Sequence, residues 1–81
     1  MQERYAQRYK AIGLKIAYYR KLKGYSQMKF SEMIDVSRTH LSNIEAPNKP
    51  TSISLDLLFK ISDVLEIDIR KFFDFTDLQE N

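Results

Sequence analysis

Hydrophobic residues recur at helical spacing along most of the chain, and no stretch alternates apolar and polar residues for more than a few positions. The clearest stripe has intervals of four, three, four and three residues, the repeat of one helix face. Its members are Tyr5, Tyr9, Ile12, Ile16 and Tyr19. The stripe predicts a first helix over about residues 3–23, which ends at Gly24 because glycine suits the left-handed conformation found there. Gly13 lies inside this helix, where glycine costs about 1 kcal/mol relative to alanine, so we interpret it as a close-packing site.

Two serines predict two further short helices. Ser26 and Ser37 can each accept a hydrogen bond from an early backbone N–H and so cap a helix. The helices would cover residues 27–34 and about 38–45 or 38–46, with Asp35 in the turn between them, where aspartate tolerates a left-handed backbone. The inward side chains would be Phe30, Ile34, Leu41 and Ile44.

The last third of the chain predicts one longer helix and one short one. Pro47 and Pro50 mark a loop, after which Ser52 or Ser54 would open a fourth helix. Its inward side chains would be Leu55, Leu58, Ile61 and Leu65. A short fifth helix would cover residues 69–73. The predicted fold is therefore all-α, a compact five-helix bundle with a domain over residues 11–73, an N-terminal extension of helix one (1–10) and a polar, frayed tail (74–81).

Composition narrows the class of protein. The chain has 81 residues, which suggests one domain, and no cysteine, which excludes disulfides and thiolate metal sites. No apolar run approaches the roughly 18 residues of a membrane span, and the charged N-terminus lacks an apolar signal segment. We expect a soluble, cytoplasmic protein without a membrane partner. His40 is the only histidine, and no metal, cofactor or small-molecule ligand is indicated.

Charge is distributed unevenly along the chain. Residues 1–49 contain ten lysines and arginines against four acidic residues, a net charge of +6. Residues 50–81 contain three against seven, a net charge of −4. Such asymmetry is typical either of a face that binds a polyanion or of ordinary solvated surface, and charge alone does not choose between them.

The second and third predicted helices form a helix-turn-helix. Two short helices joined by a three- or four-residue turn have this arrangement, and the second can enter the major groove of DNA. Its outward face is rich in side chains that can hydrogen-bond to base edges. These are Arg38, Thr39, Ser42 and Asn43, and they lie opposite the inward pair Leu41 and Ile44.

Three stretches resemble the lambda repressor/Cro-like family of bacterial and phage proteins, often called the Xre family. They are IGLKIAYYRKLKGYSQ, FSEMIDVSRTHLSNIE and SLDLLFKISDVLEIDIRKFF, so the resemblance covers about residues 11–73. It implies a five-helix bundle whose third helix reads DNA. It also implies a buried ion pair between Arg20 and Glu45, which would join the first and third helices.

The chain departs from the family pattern at four places. Met28 stands where polar residues are common. Ser31 stands where the family usually has alanine, and Asp35 where it usually has glycine. The loop after Glu45 reads APNKP instead of containing glycine, which changes its geometry.

The leading hypothesis is a sequence-specific double-stranded DNA-binding protein that regulates transcription, as a repressor rather than an activator, and acts as a homodimer. By the resemblance and the helix geometry, Arg38, Thr39 and Asn43 would contact bases. Residues that would contact the DNA backbone are Gln27, Lys29, Ser37, Ser42 and Lys49. His40 is a further candidate for DNA contact.

Two other classes of function fit the sequence less well. A protein-interaction module, such as an antitoxin or an anti-repressor partner, could use the acidic C-terminal third. An enzyme is not expected, because the chain has no cysteine nucleophile, no Ser-His-Asp spacing and no glycine-rich phosphate loop. The carboxylates Asp56, Asp63 and Glu66 fit a solvated helix face.

Overall fold

Serine caps begin three of the four α-helices in the described part of the chain. In the computed structural model, which describes residues 3–76, the side chains of Ser26, Ser37 and Ser54 accept hydrogen bonds from the backbone N–H three residues ahead. These caps set the starts of α2 (Gln27–Met33), α3 (Arg38–Glu45) and α4 (Leu55–Leu65). The fourth cap is therefore Ser54 and not Ser52. The first helix, α1 (Ala6–Leu22), continues from a 3-10 turn at Glu3–Tyr5.

The regular secondary structure within residues 3–76 is helical, and these residues contain no strand. The predicted fifth helix is present over Ile69–Phe73, but it is a 3-10 helix and not an α-helix. Asp68 caps it, since its carboxylate accepts hydrogen bonds from the backbone and guanidinium of Arg70. These bonds hold the pKa of Asp68 at about 2, below its usual value.

A single core joins the helices. α1 packs against α3 and the C-terminal 3-10 helix, and α2 packs against α3. The fully buried side chains at its centre are Ile16, Phe30, Ile34, Leu41, Leu58, Ile61, Leu65 and Phe72. The inward positions predicted for α2 and α3 are therefore confirmed.

The inward position predicted for Leu55 is wrong. Leu55 shares a helix face with Leu58, but its side chain is 59 % exposed. As the first residue of α4 it lies beyond the edge of the core, where it lines an open groove with Tyr5 and Phe73.

The turn between α2 and α3 requires a left-handed residue. Asp35 has a φ of 59°, which aspartate adopts more readily than most residues with a side chain. The next residue, Val36, donates its N–H to the carbonyl of Ser31 at 3.0 Å. Ser31 is itself buried and donates its hydroxyl to the carbonyl of Met28, so both departures from the family pattern are accommodated.

The chain continues to pack after the last helix. The Phe75 ring packs against the core cluster, and the Lys15 ammonium lies 5.8 Å from its centre. Residues 77–81 of the predicted tail lie outside the described residues, and the division at residues 10 and 73 stays a prediction. Within residues 3–76, no helix combines the length and apolar character needed to cross a membrane.

Candidate nucleic-acid interface

The outward face of α3 brings the predicted base-contacting residues together. Arg38, Thr39, Ser42 and Asn43 line one shallow polar depression of about 220 Å³. Leu41 and Ile44 are buried on the opposite side of the helix. The helical repeat thus separates a packing face from a hydrogen-bonding face within eight residues.

The polar groups on this face are available to a ligand. Arg38 and Thr39 are exposed and Asn43 is half-buried. Across the part of the chain that the structure describes, their side chains make no hydrogen bond or ion pair within the protein. Guanidinium, hydroxyl and amide groups in this state can match the donors and acceptors of base edges without first breaking internal bonds.

The residues predicted to contact the DNA backbone differ in what they do inside the protein. Lys29 and Lys49 are exposed, on α2 and on the loop after α3. The Ser37 hydroxyl accepts the N–H of His40 at 3.0 Å, which caps α3 and leaves its proton free to donate. His40 is half-buried beside this cap.

Gln27 has a structural contact that the sequence did not predict. Its amide nitrogen donates to a carboxylate oxygen of Glu45 at 2.9 Å. One N–H of the amide is therefore held by the last residue of α3, and the second N–H remains for another acceptor. The start of α2 and the end of α3 are linked through this bond.

A buried ion pair fixes α3 to α1. Arg20 and Glu45, only 6 % and 7 % exposed, meet in a two-pronged bridge. Arg20 Nε donates to Glu45 Oε2 at 2.8 Å and Nη2 donates to Oε1 at 2.9 Å. Arg20 Nη1 donates to the carbonyl of Tyr25 at 2.7 Å, so the charged groups are satisfied on several sides, as a buried pair requires.

The loop after α3 is tied back to the helix. The hydroxyl of Thr51 lies 3.2 Å from the carbonyl of Asn43 and 3.0 Å from that of Lys49. Thr51, which follows the APNKP loop, therefore holds this loop against α3. Sequence reasoning missed Thr51, although a threonine just after a proline-bounded loop is a residue type that commonly bonds to nearby backbone.

Among residues 3–76, no group of three or more His, Cys, Asp and Glu side chains could hold a metal ion.

Comparison with known proteins agrees with this geometry. A helix-turn-helix family model matches residues 16–72. The HTH-type transcriptional regulator SinR of Bacillus subtilis (strain 168) is 40 % identical over 63 residues, which are 78 % of this chain and 56 % of that protein. The SinR of Bacillus licheniformis is 38 % identical over 69 residues, 85 % of this chain and 61 % of that protein. The chain thus spans less than two thirds of either relative.

Two solved structures have a similar fold. One is a crystal structure of SinR, described as the master regulator for biofilm formation, in complex with DNA. It has a TM-score of 0.71 and 40 % identity, and covers 78 % of this chain and 98 % of that chain. The other is a complex of the SinR and SinI proteins, with a TM-score of 0.71 and 37 % identity, covering 85 % of this chain and 68 % of that one.

Proposed function

Because the chain belongs to the helix-turn-helix family, we propose that it is a sequence-specific double-stranded DNA-binding protein that regulates transcription. The observation that carries the proposal is the exposed polar face of α3 with Arg38, Thr39 and Asn43 unpartnered on it. The similarity to SinR in complex with DNA supports it. The relatives are transcriptional regulators, and no enzymatic role is proposed.

The proposed mechanism is docking without chemistry. α3 enters the major groove, where Arg38, Thr39 and Asn43 contact bases. Contacts to the DNA backbone set the position of the helix and carry no sequence information. They come from Gln27, Lys29, Ser37, Ser42 and Lys49, with His40 at the edge. A protein that only occupies its site acts most simply as a repressor, in the cytoplasm where bacterial DNA lies.

We propose that the protein acts as a homodimer. One domain over residues 11–73 presents a single short reading helix, which contacts only a few base pairs. Two copies related by a two-fold axis double the contacts and read a symmetric site.

Selection of bound duplexes from a random DNA pool tests the proposal. We expect enrichment of a two-fold-symmetric motif. A pool that stays random after selection would contradict DNA recognition and favour the second candidate, a protein-interaction module. That candidate is supported by the similarity to SinR in its complex with SinI.

Arg38→Ala should weaken binding to the selected site by about 1–3 kcal/mol and relax specificity at one base pair per half-site. The reason is the loss of a forked donor at the start of the groove-facing helix. Affinities for all single-base variants of the site measure the effect, with Lys71→Ala as a control because it removes one exposed charge from the C-terminal 3-10 helix. An unchanged preference at every base pair would show that Arg38 does not read a base.

Lys29→Ala and Lys49→Ala should instead weaken binding to all sequences alike. Each removes one contact to a phosphate, so the slope of log K against log salt should fall by about one ion. Binding measured across a salt series shows this, and Lys71→Ala is again the matched control. A variant that changes base preference while keeping the full salt slope would refute its role as a phosphate contact.

A further inference from the structure

Two exposed faces of this domain are complementary to each other and are used neither by the core nor by α3. The first, which we call the α1 face, carries the exposed apolar residues Leu14, Tyr18 and Leu22 at four-residue spacing. The second, the α4 face, carries the exposed apolar residues Leu55 and Phe59, also four residues apart, at 59 % and 50 % exposure. Side chains four apart share one side of a helix, so each face is a continuous apolar stripe.

The two faces have opposite charge. α1 contains no acidic residue between Ala6 and Leu22. Lys10 lies four residues before Leu14 and Lys21 lies three residues after Tyr18, so the two lysines flank the stripe at neighbouring helical positions. The α4 stripe is flanked by the exposed carboxylates of Asp56 and Asp63, with Lys60 as the one cation of that helix. One face is therefore basic around an apolar centre, and the other is acidic around an apolar centre.

The faces also differ in shape. Along α1, Leu14 and Tyr18 form one side of a groove of about 420 Å³, and Pro47 lies on the other. On α4, Leu55 borders one groove and Phe59 borders another, and both side chains are exposed. Two exposed apolar side chains one helical turn apart can enter a groove of this kind.

We propose that the α4 face of one copy docks on the α1 face of a second copy, in a head-to-tail contact. Charge decides the pairing: α1 against α1 would bring lysines together, and α4 against α4 would bring carboxylates together. Only the mixed pairing places opposite charges around both apolar stripes. The contact uses different surfaces on its two sides, so each copy can present its α4 face to one neighbour and its α1 face to another, which joins copies in a row.

The contact between the α1 and α4 faces is small, so we expect it to act between copies that are already bound close together. Two stripes of two or three helical turns bury far less than the roughly 1,200 Å² of a stable interface. Neighbouring copies on one DNA molecule have a high effective concentration, which makes so weak a contact effective. Resting here on the proposed function, we expect the contact to produce cooperative binding to directly repeated sites, because head-to-tail copies face the same way along the DNA.

Charge exchange tests the contact without DNA. One variant carries Lys10→Glu and Lys21→Glu, and the other carries Asp56→Lys and Asp63→Lys. In the second variant, Asp56→Lys places a cation near the start of α4, where the helix dipole disfavours it, and Asp63→Lys places one near the end, where the dipole favours it. The two effects on the stability of the helix therefore oppose each other. Circular dichroism first shows that both variants are folded.

Amide NMR shifts followed with protein concentration, up to the order of 1 mM where contacts this weak are measurable, give the readout. For the unaltered chain we expect salt-sensitive shifts on both faces, around Tyr18 and around Phe59. Each variant alone should lose them, because both of its faces then carry the same charge. An equimolar mixture of the two should regain them on both faces of both variants, because the two unaltered faces carry opposite charges and so do the two altered ones. Shifts confined to one face, no shifts at all, or no recovery in the mixture would overturn the proposal.

Binding to DNA with one site or two separates this inference from the proposed function. Affinity for a single selected site tests DNA binding alone. A two-fold-symmetric motif has no direction, so the repeats are built from one of its half-sites. With two directly repeated half-sites, scanned over one helical turn of spacing, we expect the second copy to bind at least about fivefold more tightly. The charge variants should lose this gain on direct repeats. On an inverted pair at the same spacings, the charge changes should leave the affinity of the second copy unchanged. Tight single-site binding with no gain on any direct repeat would overturn the inference and leave the proposed function standing.

Discussion

Glu45→Ala should destabilise the fold by about 3–5 kcal/mol, a large part of the stability of a domain this size. Glu45 is the last residue of α3, where the helix dipole disfavours an anion. It is held there by three N–H donors, two from Arg20 and one from Gln27. Removing the carboxylate leaves the guanidinium of Arg20 buried with only the Tyr25 carbonyl as partner. Urea denaturation followed by circular dichroism measures the loss.

A double-mutant cycle identifies the cause of this loss. Arg20→Ala should destabilise by a similar amount, and the double variant should cost clearly less than the sum of the two, because one change already removes the pair. Glu32→Ala, which changes an exposed glutamate on α2, is the control and should stay within about 0.5 kcal/mol of the parent. Glu45→Gln keeps the volume and one acceptor, so it should lie between. Strict additivity of Arg20→Ala and Glu45→Ala would mean that the two side chains are not coupled.

Gly13→Ala should destabilise the fold by about 3 kcal/mol, the upper part of the range for overpacked cores. A Cβ atom at position 13 would lie only 1.9 Å from the carbonyl oxygen of Ile44. That oxygen belongs to the backbone of α3 and cannot rotate away, so α1 and α3 must separate. In a helix interior without this contact, replacing glycine by alanine raises the free energy of unfolding by about 1 kcal/mol. A loss of stability would therefore identify the clash with α3 as the cause.

Thermal or urea denaturation measures the effect of Gly13→Ala. Gln7→Ala is a matched control on an exposed position of the same helix, and it should change stability little. Since α3 carries the proposed reading face, Gly13→Ala should also weaken DNA binding in the part of the population that stays folded. A Gly13→Ala chain as stable as the parent would show that α1 and α3 do not touch at this point.

Local features of the sequence predicted most of the helical layout. Ser26 and Ser37 stand where α2 and α3 begin, and the left-handed Asp35 lies in the turn between them. Each of these depends on hydrogen bonds or backbone angles within about four residues, so neighbours in the chain suffice to determine them. The outward position of Arg38 follows from the helical repeat in the same way.

The family resemblance supplied what local pattern could not. Nothing in the spacing of Arg20 and Glu45, 25 residues apart, shows that they meet. The motif implied the pair, and the structure contains it with both prongs formed. Its place inside the first helix predicts that Gly13 is a close-packing site, but nothing in the sequence identifies its partner, the carbonyl of Ile44.

By itself the sequence determined an all-α fold class, the starts of α2 and α3 and the polar face of α3, because these are set by local hydrogen bonds and by helical period. Only the tertiary structure decided that Gln27 bonds to Glu45, that Leu55 lies outside the core and that Phe75 packs on it. It also decided that basic and acidic apolar stripes remain exposed on α1 and α4. These features depend on how helices far apart in the chain are placed against one another, and periodicity within one helix carries no information about which neighbour covers it or where that neighbour ends.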